Sequence, residues 1–400
     1  MLIRFNFQNF KSFKNENILD MEALPLKEHE YNILKLYENI NLLKVAAIYG
    51  ANASGKTNVL KAFCYMKNKI LISDDSQQNS LIEDKYTFML NNKPISLQVE
   101  ILAKNGKIYK YGFEILKDKI ISEWLFEKTS NKFNTIMERT GRNVLLNISD
   151  QEEIYNNVDE KTLFLNVYKK INNVNIDFKN VFEWFVNAHY LDLGNPNFEK
   201  RLNHRNSLEI INNKKYKNEL LKFIKLFDFG IEGLQITPIK INDTDINNLA
   251  VKLEFQHKTE DNKLKLLPLS MESNGTIKLL HLFDFFMTAL KNGSVLFIDE
   301  LDAKLHPLLT RYVINMFHNS EINVGNGQLI YSTHDTTNLN QDTFRRDEIW
   351  FTEKTSDGIS EIYSLSDYIL DDNIRYNKDY LTGRFGAIPI FNDFEVLNEK

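Results

Sequence analysis

Eight consecutive residues constrain this chain more than any others. Gly50-Ala51-Asn52-Ala53-Ser54-Gly55-Lys56-Thr57 fits the pattern GxxxxGK[ST]. Before it, residues 45 to 49 (VAAIY) form a short apolar run that predicts a buried strand. After it, Val59, Leu60, Phe63 and Met66 recur at helical spacing from Lys56 onward. A strand, a glycine loop and a helix in that order make a cradle for phosphate. The glycines let the loop curl so that backbone N–H groups converge, and the helix N-terminus adds positive potential. Gly50, Asn52, Ala53, Ser54, Gly55 and Asn58 are expected to line it. Lys56 can reach β- and γ-phosphates, and the Thr57 hydroxyl can hold Mg²⁺. Chance would produce the four fixed positions in roughly one or two chains in a hundred of this length, before the strand and helix context is counted.

Three further segments match that chemistry. Ser294-Val295-Leu296-Phe297-Ile298-Asp299-Glu300 reads as a buried strand ending in two carboxylates. Apolar strands often end in acidic residues at the solvent boundary, but beside a phosphate loop the pair acquires roles. Asp299 would hold the metal, and Glu300 would polarise an attacking water. His334 follows the apolar run Gln328–Ser332, where strand ends gather in an open parallel sheet, and could hydrogen-bond a γ-phosphate. On its own it would read as a loop histidine. Leu269 to Thr276 precedes an apolar helix. Ser273 is a good N-cap, and Gly275 permits close approach to free N–H groups, either in a plain capped helix or in a second phosphate site. His306, before Pro307, reads mainly as a cap or interface residue.

Bulk properties narrow the class. The chain has 400 residues, with 49 Lys plus Arg against 54 Asp plus Glu, so any nucleic-acid contact must use a local patch. Candidates are Lys214, Lys215 and Lys217, and Arg345 and Arg346, although such runs are usually solvated faces. The single cysteine, Cys64, fits a reducing compartment and excludes a cysteine-rich zinc site. No signal-peptide pattern opens the chain, and no window approaches the roughly 18 apolar residues of a membrane span. A cytoplasmic location with no membrane contact is expected.

Period-two apolar residues predict a strand over residues 2 to 13, and three β-prone runs over 95 to 128 predict a meander turning at Asn105-Gly106 and Lys117-Asp118. Residues 150 to 228 are polar and helix-compatible. Strands are expected at 234–241, 249–256, 294–298, 328–332 and 348–352, helices at 275–291 and 307–319, and a loop over 323–327. The fold class is α/β: a mostly parallel P-loop sheet with an antiparallel β lobe and a helical insertion. The expected domains are 1–149 and 229–400 as two parts of one head, and 150–228 as the insertion.

The motif order resembles the ABC-type ATPases of the SMC and RecF group. Asn9-Phe10-Lys11-Ser12-Phe13 is similar to that group's first strand. Glu272 to Thr276, Asp299 to Pro307 and Ser332-Thr333-His334 resemble the OLD-like and AbiL/RloA-like bacterial ATPases associated with abortive infection and phage defence, as does the ending Tyr380 to Pro389. The resemblance covers roughly residues 1 to 66 and 266 to 390. It implies ATP and Mg²⁺ as cofactors, and homodimers or larger assemblies that pair head-to-tail. Gly50 to Thr57 of one subunit would face Ser273 and Gly275 of the other. Ala303 to His306 would form the interface loop, His334 would be the switch histidine, and Lys11 would approach the phosphates. The signature segment lacks the usual double glycine. Gln77, Gln78 and Gln98 remain alternatives for a glutamine loop. No heptad arms and no second catalytic constellation occur, and the C-terminal region is too short for the Toprim nuclease domain of OLD enzymes. The implied function is an ATP-hydrolysing switch controlling a separate effector such as a nuclease. The alternatives are a RecF-like DNA-binding repair ATPase and a nucleotide-sensing scaffold with little turnover.

Overall fold

The structure, a computed structural model, describes residues 1–36, 40–72, 93–130, 132–148, 151–156, 158–168, 175–195, 214–227, 230–240, 249–303, 305–370 and 374–389. They fall in two compact units. The first is Met1–Leu191, Ala289–Leu301 and Val313–Lys400, and the second is Asp192–Thr288 and Asp302–Tyr312.

The first unit opens with β1 (Leu2–Gln8) and β2 (Asn17–Asp20), paired antiparallel, then β3 (Ile33–Lys35) and β4 (Asn41–Leu43). The expected strand over 2 to 13 stops at Gln8. Asn9 and Lys11 have φ of +55° and +48°, so the chain turns there, and Phe10 and Phe13 face each other across the turn. Both phenylalanines are still fully buried, which is why the apolar pattern continued past the strand. β5 (Val45–Gly50) is buried at every position, as befits a strand covered on both faces. It leads into α1 (Lys56–Leu71).

The meander runs through β6 (Ile95–Leu102), β7 (Ile108–Leu116) and β8 (Lys119–Thr129). At the β7–β8 turn, Lys117 and Asp118 have φ of +49° and +65°, the backbone that matches the twist of a two-residue hairpin. The meander continues beyond the expected 128 into β9 (Lys132–Thr140), β10 (Asn143–Ile148) and β11 (Gln151–Tyr155). β6 joins β1, giving an eight-stranded sheet in the order β11-β10-β9-β8-β7-β6-β1-β2. Two helices follow, α2 (Phe164–Tyr168) and α3 (Ile176–Asn187), then β12 (His189–Asp192).

The second unit holds α4 (Lys214–Lys225) and an antiparallel sheet of β13 (Ile231–Lys240), β14 (Leu249–Lys258) and β15 (Leu264–Pro268). Phe223 of α4 packs 5.3 Å from Phe283 of α5 (Asn274–Asn292).

The remaining elements are β16 (Val295–Asp299), α6 (Pro307–His318), β17 (Gln328–Ser332), β18 (Ile349–Lys354), β19 (Ser360–Ser364) and α7 (Tyr376–Leu381). The second large sheet has the order β12-β16-β17-β5-β18-β19, with β16, β17, β5 and β18 parallel and β19 antiparallel at the edge. Parallel pairing sends the C-terminal ends of β5, β16 and β17 to one edge, where ligands of such sheets bind.

Helix α1 is packed between the two large sheets. Phe63 stacks on Phe297 of β16 at 3.8 Å and meets Phe5 of β1 edge-on at 5.9 Å. Burying a phenylalanine contributes about 2–3 kcal/mol, so this column fixes the helix whose first turn carries Lys56 and Thr57. Because both sides are covered, the buried stripe of α1 is wide, from Val59 and Leu60 through Phe63, Met66 and Ile70.

Candidate nucleotide site

The loop after β5 is shaped by positions no side chain would tolerate. Gly50 has φ of +155°, and a Cβ there would lie 2.5 Å from the Thr352 carbonyl oxygen. Gly55 has φ of +122°, with Ser360 Oγ 2.9 Å and Phe13 Cζ 3.0 Å from any added Cβ. Ala53 also has positive φ, +61°, and with Asn52 forms the exposed tip of the loop. Lys56 is buried, and its ammonium donates to the Gly50 and Ala51 carbonyls at 2.8 and 2.9 Å.

Hydroxyls from distant segments hold the loop from outside. Ser54 Oγ lies 2.7 Å from Thr352 Oγ1 on β18, and Ser360 Oγ on β19 donates to the Ser54 carbonyl at 2.6 Å. Asn58 donates to Ser12 Oγ at 2.8 Å, and Ser12 Oγ is 2.8 Å from Ser360 Oγ. The turn at Asn9–Phe13 is therefore fastened against the loop. Within it, the Lys11 ammonium is 5.9 Å from the centre of the Phe10 ring.

The end of β16 meets the start of α1. Thr57 Oγ1 donates to Asp299 Oδ1 at 3.2 Å. Ser332, ending β17, donates to the same oxygen and accepts the Glu300 N–H at 2.9 Å. Asp299 is 3% exposed, and burial pushes its carboxyl above the usual range against the pull of the Ser332 and Thr57 hydrogen bonds. A threonine hydroxyl and a carboxylate in contact form an all-oxygen donor set, the chemistry a hard cation such as Mg²⁺ takes. Among the described residues no group of three or more His, Cys, Asp or Glu could hold a metal by itself, so a metal here would need phosphate oxygens or water to complete its shell. Glu300 is half-buried with φ of +55°. His334 lies two residues past Ser332 and is exposed. The Thr333 N–H donates to the Ile48 carbonyl at 3.1 Å, and Asp335 caps the following turn by accepting from Thr337 N, so the His334 segment is tethered on both sides.

In the second unit, Ser273 caps α5: its Oγ accepts from the Thr276 N–H at 3.1 Å, with Gly275 in the first turn. Glu272, just before it, is paired with His257 of β14 at 2.7 Å. The expected capping by His306 is present, since its Nδ1 accepts from Leu308 N at 3.2 Å. Lys278 of α5 donates to the Ala303 carbonyl. Lys304 lies outside the described residues.

Two expectations are corrected. Arg345 is no patch residue: it is 0% exposed, bound to both Asp347 oxygens at 2.9 and 2.7 Å and to the Leu24 carbonyl. Arg346 is occupied by Glu28 at 2.6 Å. Gln98 accepts from Trp124 Nε1 at 3.0 Å within the eight-stranded sheet, the site of a structural bond. Gln77 and Gln78 lie outside the described residues. Thr352 and Ser360 carry no signal in the sequence, and Ser12 and Ser332 enter it only as members of longer segments with no role of their own, because a small hydroxyl in a strand or turn has no local signature.

Residues 45–340 match the family model described as "AAA domain, putative AbiEii toxin, Type IV TA system". The chain belongs to this family. The matched span starts at β5 and ends beyond His334, so it contains Gly50 to Asn58, Ser273, Gly275, Asp299, Glu300 and His334, while Lys11, Ser12, Thr352 and Ser360 lie outside it. This family member is a P-loop ATPase. Its fold is similar to that of the SMC head crystallised with the C-winged helix domain of ScpA, at 13% identity and a TM-score of 0.51, covering 91% of this chain and 97% of that one. The recombination mediator protein RecF in the RecFOR pathway also matches, at 12% identity and a TM-score of 0.41, over 90% of this chain and 98% of that one. No curated protein matches. Among the described residues no helix is long and apolar enough to cross a membrane.

Proposed function

We propose that this ATPase is a nucleotide-driven switch in which two heads pair head-to-tail and so control a separate effector in a bacterial anti-phage system. The observation that carries the reading is the contact of Thr57 with Asp299, 242 residues apart in sequence, at the mouth of the glycine loop. Gly50 to Asn58 wrap the phosphates, with Lys56 leaving the Gly50 and Ala51 carbonyls for the β- and γ-phosphates. Thr57 and Asp299 hold Mg²⁺, which supplies charge neutralisation when bound. Glu300 acts as general base for the attacking water, and His334 senses the γ-phosphate. Lys11 reaches toward the phosphates from its turn. Ser273 and Gly275 of a second copy complete the γ-phosphate site, with Ala303 to His306 as the interface loop. The domain assignment is a head built from 1–149 and 229–400 with 150–228 inserted, working in the cytoplasm. The family's description as a toxin of a toxin–antitoxin system supports the defence role.

Glu300→Gln tests the reading. It should keep ATP affinity, stall hydrolysis, and accumulate as an ATP-dependent dimer in light scattering, and Ser273→Arg should abolish that dimer. Ordinary turnover in purified Glu300→Gln would refute the base, and an ATP-bound monomer at high concentration would refute the pairing. A second reading, a DNA-binding repair ATPase, is favoured by α4, where Lys214 and Lys215 are exposed beside Lys217. It predicts DNA affinity that falls steeply with added salt. Absence of binding at low salt would remove it.

A further inference from the structure

Ser332 is a single hydroxyl serving both carboxylate residues at the end of β16. It donates to Asp299 Oδ1 and accepts the Glu300 N–H at 2.9 Å, while its own carbonyl takes the Leu301 N–H at 3.1 Å. Three successive residues are thereby fastened to one. The middle one, Glu300, sits at φ of +55°, a left-handed conformation that costs a non-glycine residue about 1 kcal/mol or more. Such backbone persists only where its surroundings hold it, and the bonds on either side of the Glu300 α-carbon both end on Ser332. Ser332 is 1% exposed, so bulk water cannot replace its hydroxyl. Asp299 has a second hydroxyl partner in Thr57, and the glycine loop is held by Thr352, Ser360 and Ser12 instead. Removing the Ser332 hydroxyl therefore takes away the acceptor of the Glu300 N–H and one of the two hydroxyl donors to Asp299, while the Leu301 N–H keeps its bond to the Ser332 carbonyl and the glycine loop keeps its own partners.

We propose that Ser332 is a positioning residue for ATP hydrolysis, its hydroxyl fixing the left-handed backbone at Glu300 and so aiming the Glu300 carboxylate. This rests on the reading of Glu300 as the general base. The test compares Ser332→Ala, Ser332→Thr, Glu300→Gln and the double variant Ser332→Ala/Glu300→Gln by Mg·ATP titration, steady-state kinetics and single-turnover rates. Ser332→Ala should lower kcat about 10- to 100-fold with ATP affinity within about threefold of wild type, since the acceptor of the Glu300 N–H is lost while Asp299 keeps its bond from Thr57 and the glycine loop keeps its partners. Ser332→Thr should restore most of the rate. On the Glu300→Gln background, Ser332→Ala should change the rate less than about twofold, because both act through one group. Wild-type turnover in Ser332→Ala, or multiplying losses in the double variant, overturns the proposal. Loss of nucleotide binding in both Ser332 variants also overturns it, making the serine a structural prop. Full hydrolysis by Glu300→Gln is a different outcome: it overturns the base assignment and, with it, the proposal.

Discussion

Gly50 shows how one residue type can be required by backbone geometry. Its φ of +155° and the 2.5 Å approach of the Thr352 carbonyl to any Cβ leave no room for even alanine, because the obstacle is backbone rather than a movable side-chain tip. Gly50→Ala is expected to destabilise the chain by roughly 1–3 kcal/mol and to cost ATP at least about tenfold in affinity, as read by denaturation and calorimetric titration. Affinity unchanged in that variant would mean that the loop is not held as described. The glycine was legible from sequence because its motif is local. Ser332 and Ser360 were not, because their importance comes from partners 33 and 306 residues away. Arg345 was misread for a related reason. Two adjacent arginines look like a solvated patch, and nothing local says that Asp347 and the Leu24 carbonyl will enclose the first of them.

Elements were legible in proportion to how continuous their apolar pattern is. β5, β16 and β17 are fully buried runs bounded by turn residues, and α1 announces itself by spacing. The extension of the meander into β9–β11 was harder to see, since its strands are mixed in polarity. Packing between elements gives two tests. Phe297→Ala removes the ring stacked on Phe63 and should cost about 3–5 kcal/mol in chemical denaturation, with ATP binding weakened in parallel as the start of α1 shifts. A loss below about 1 kcal/mol would show that the column does not seat the helix. The second test concerns Glu123 of β8, fully buried, which accepts from the Phe164 and Leu165 N–H groups at the start of α2, from Tyr111, and faces Arg139 at 3.5 Å. Burial outweighs these partners and raises its titration above the ordinary 4.5. A carboxyl raised in the folded state contributes stability that is full below the ordinary value and lost as pH rises through the folded one. Glu123→Gln should therefore gain in Tm relative to wild type as pH climbs above 4.5, and a gap independent of pH would contradict this.

At the scale of the whole molecule, the chemistry is distributed over the chain and gathered by topology. The parallel order β16-β17-β5 brings Asp299, Ser332 and the Gly50 loop to one sheet edge, so residues 242 positions apart share a hydrogen bond. The Ser273 and His306 caps belong to the second unit and await a partner in the proposed pairing. The proposed pairing, effector control and defence role all depend on whether ATP engages that edge through Lys56. The most direct measurement is a calorimetric titration of Mg·ATP into the wild-type chain and Lys56→Ala. Saturable binding of one nucleotide per wild-type chain, with none detectable in Lys56→Ala, is predicted; equal affinity in the two proteins would contradict the account.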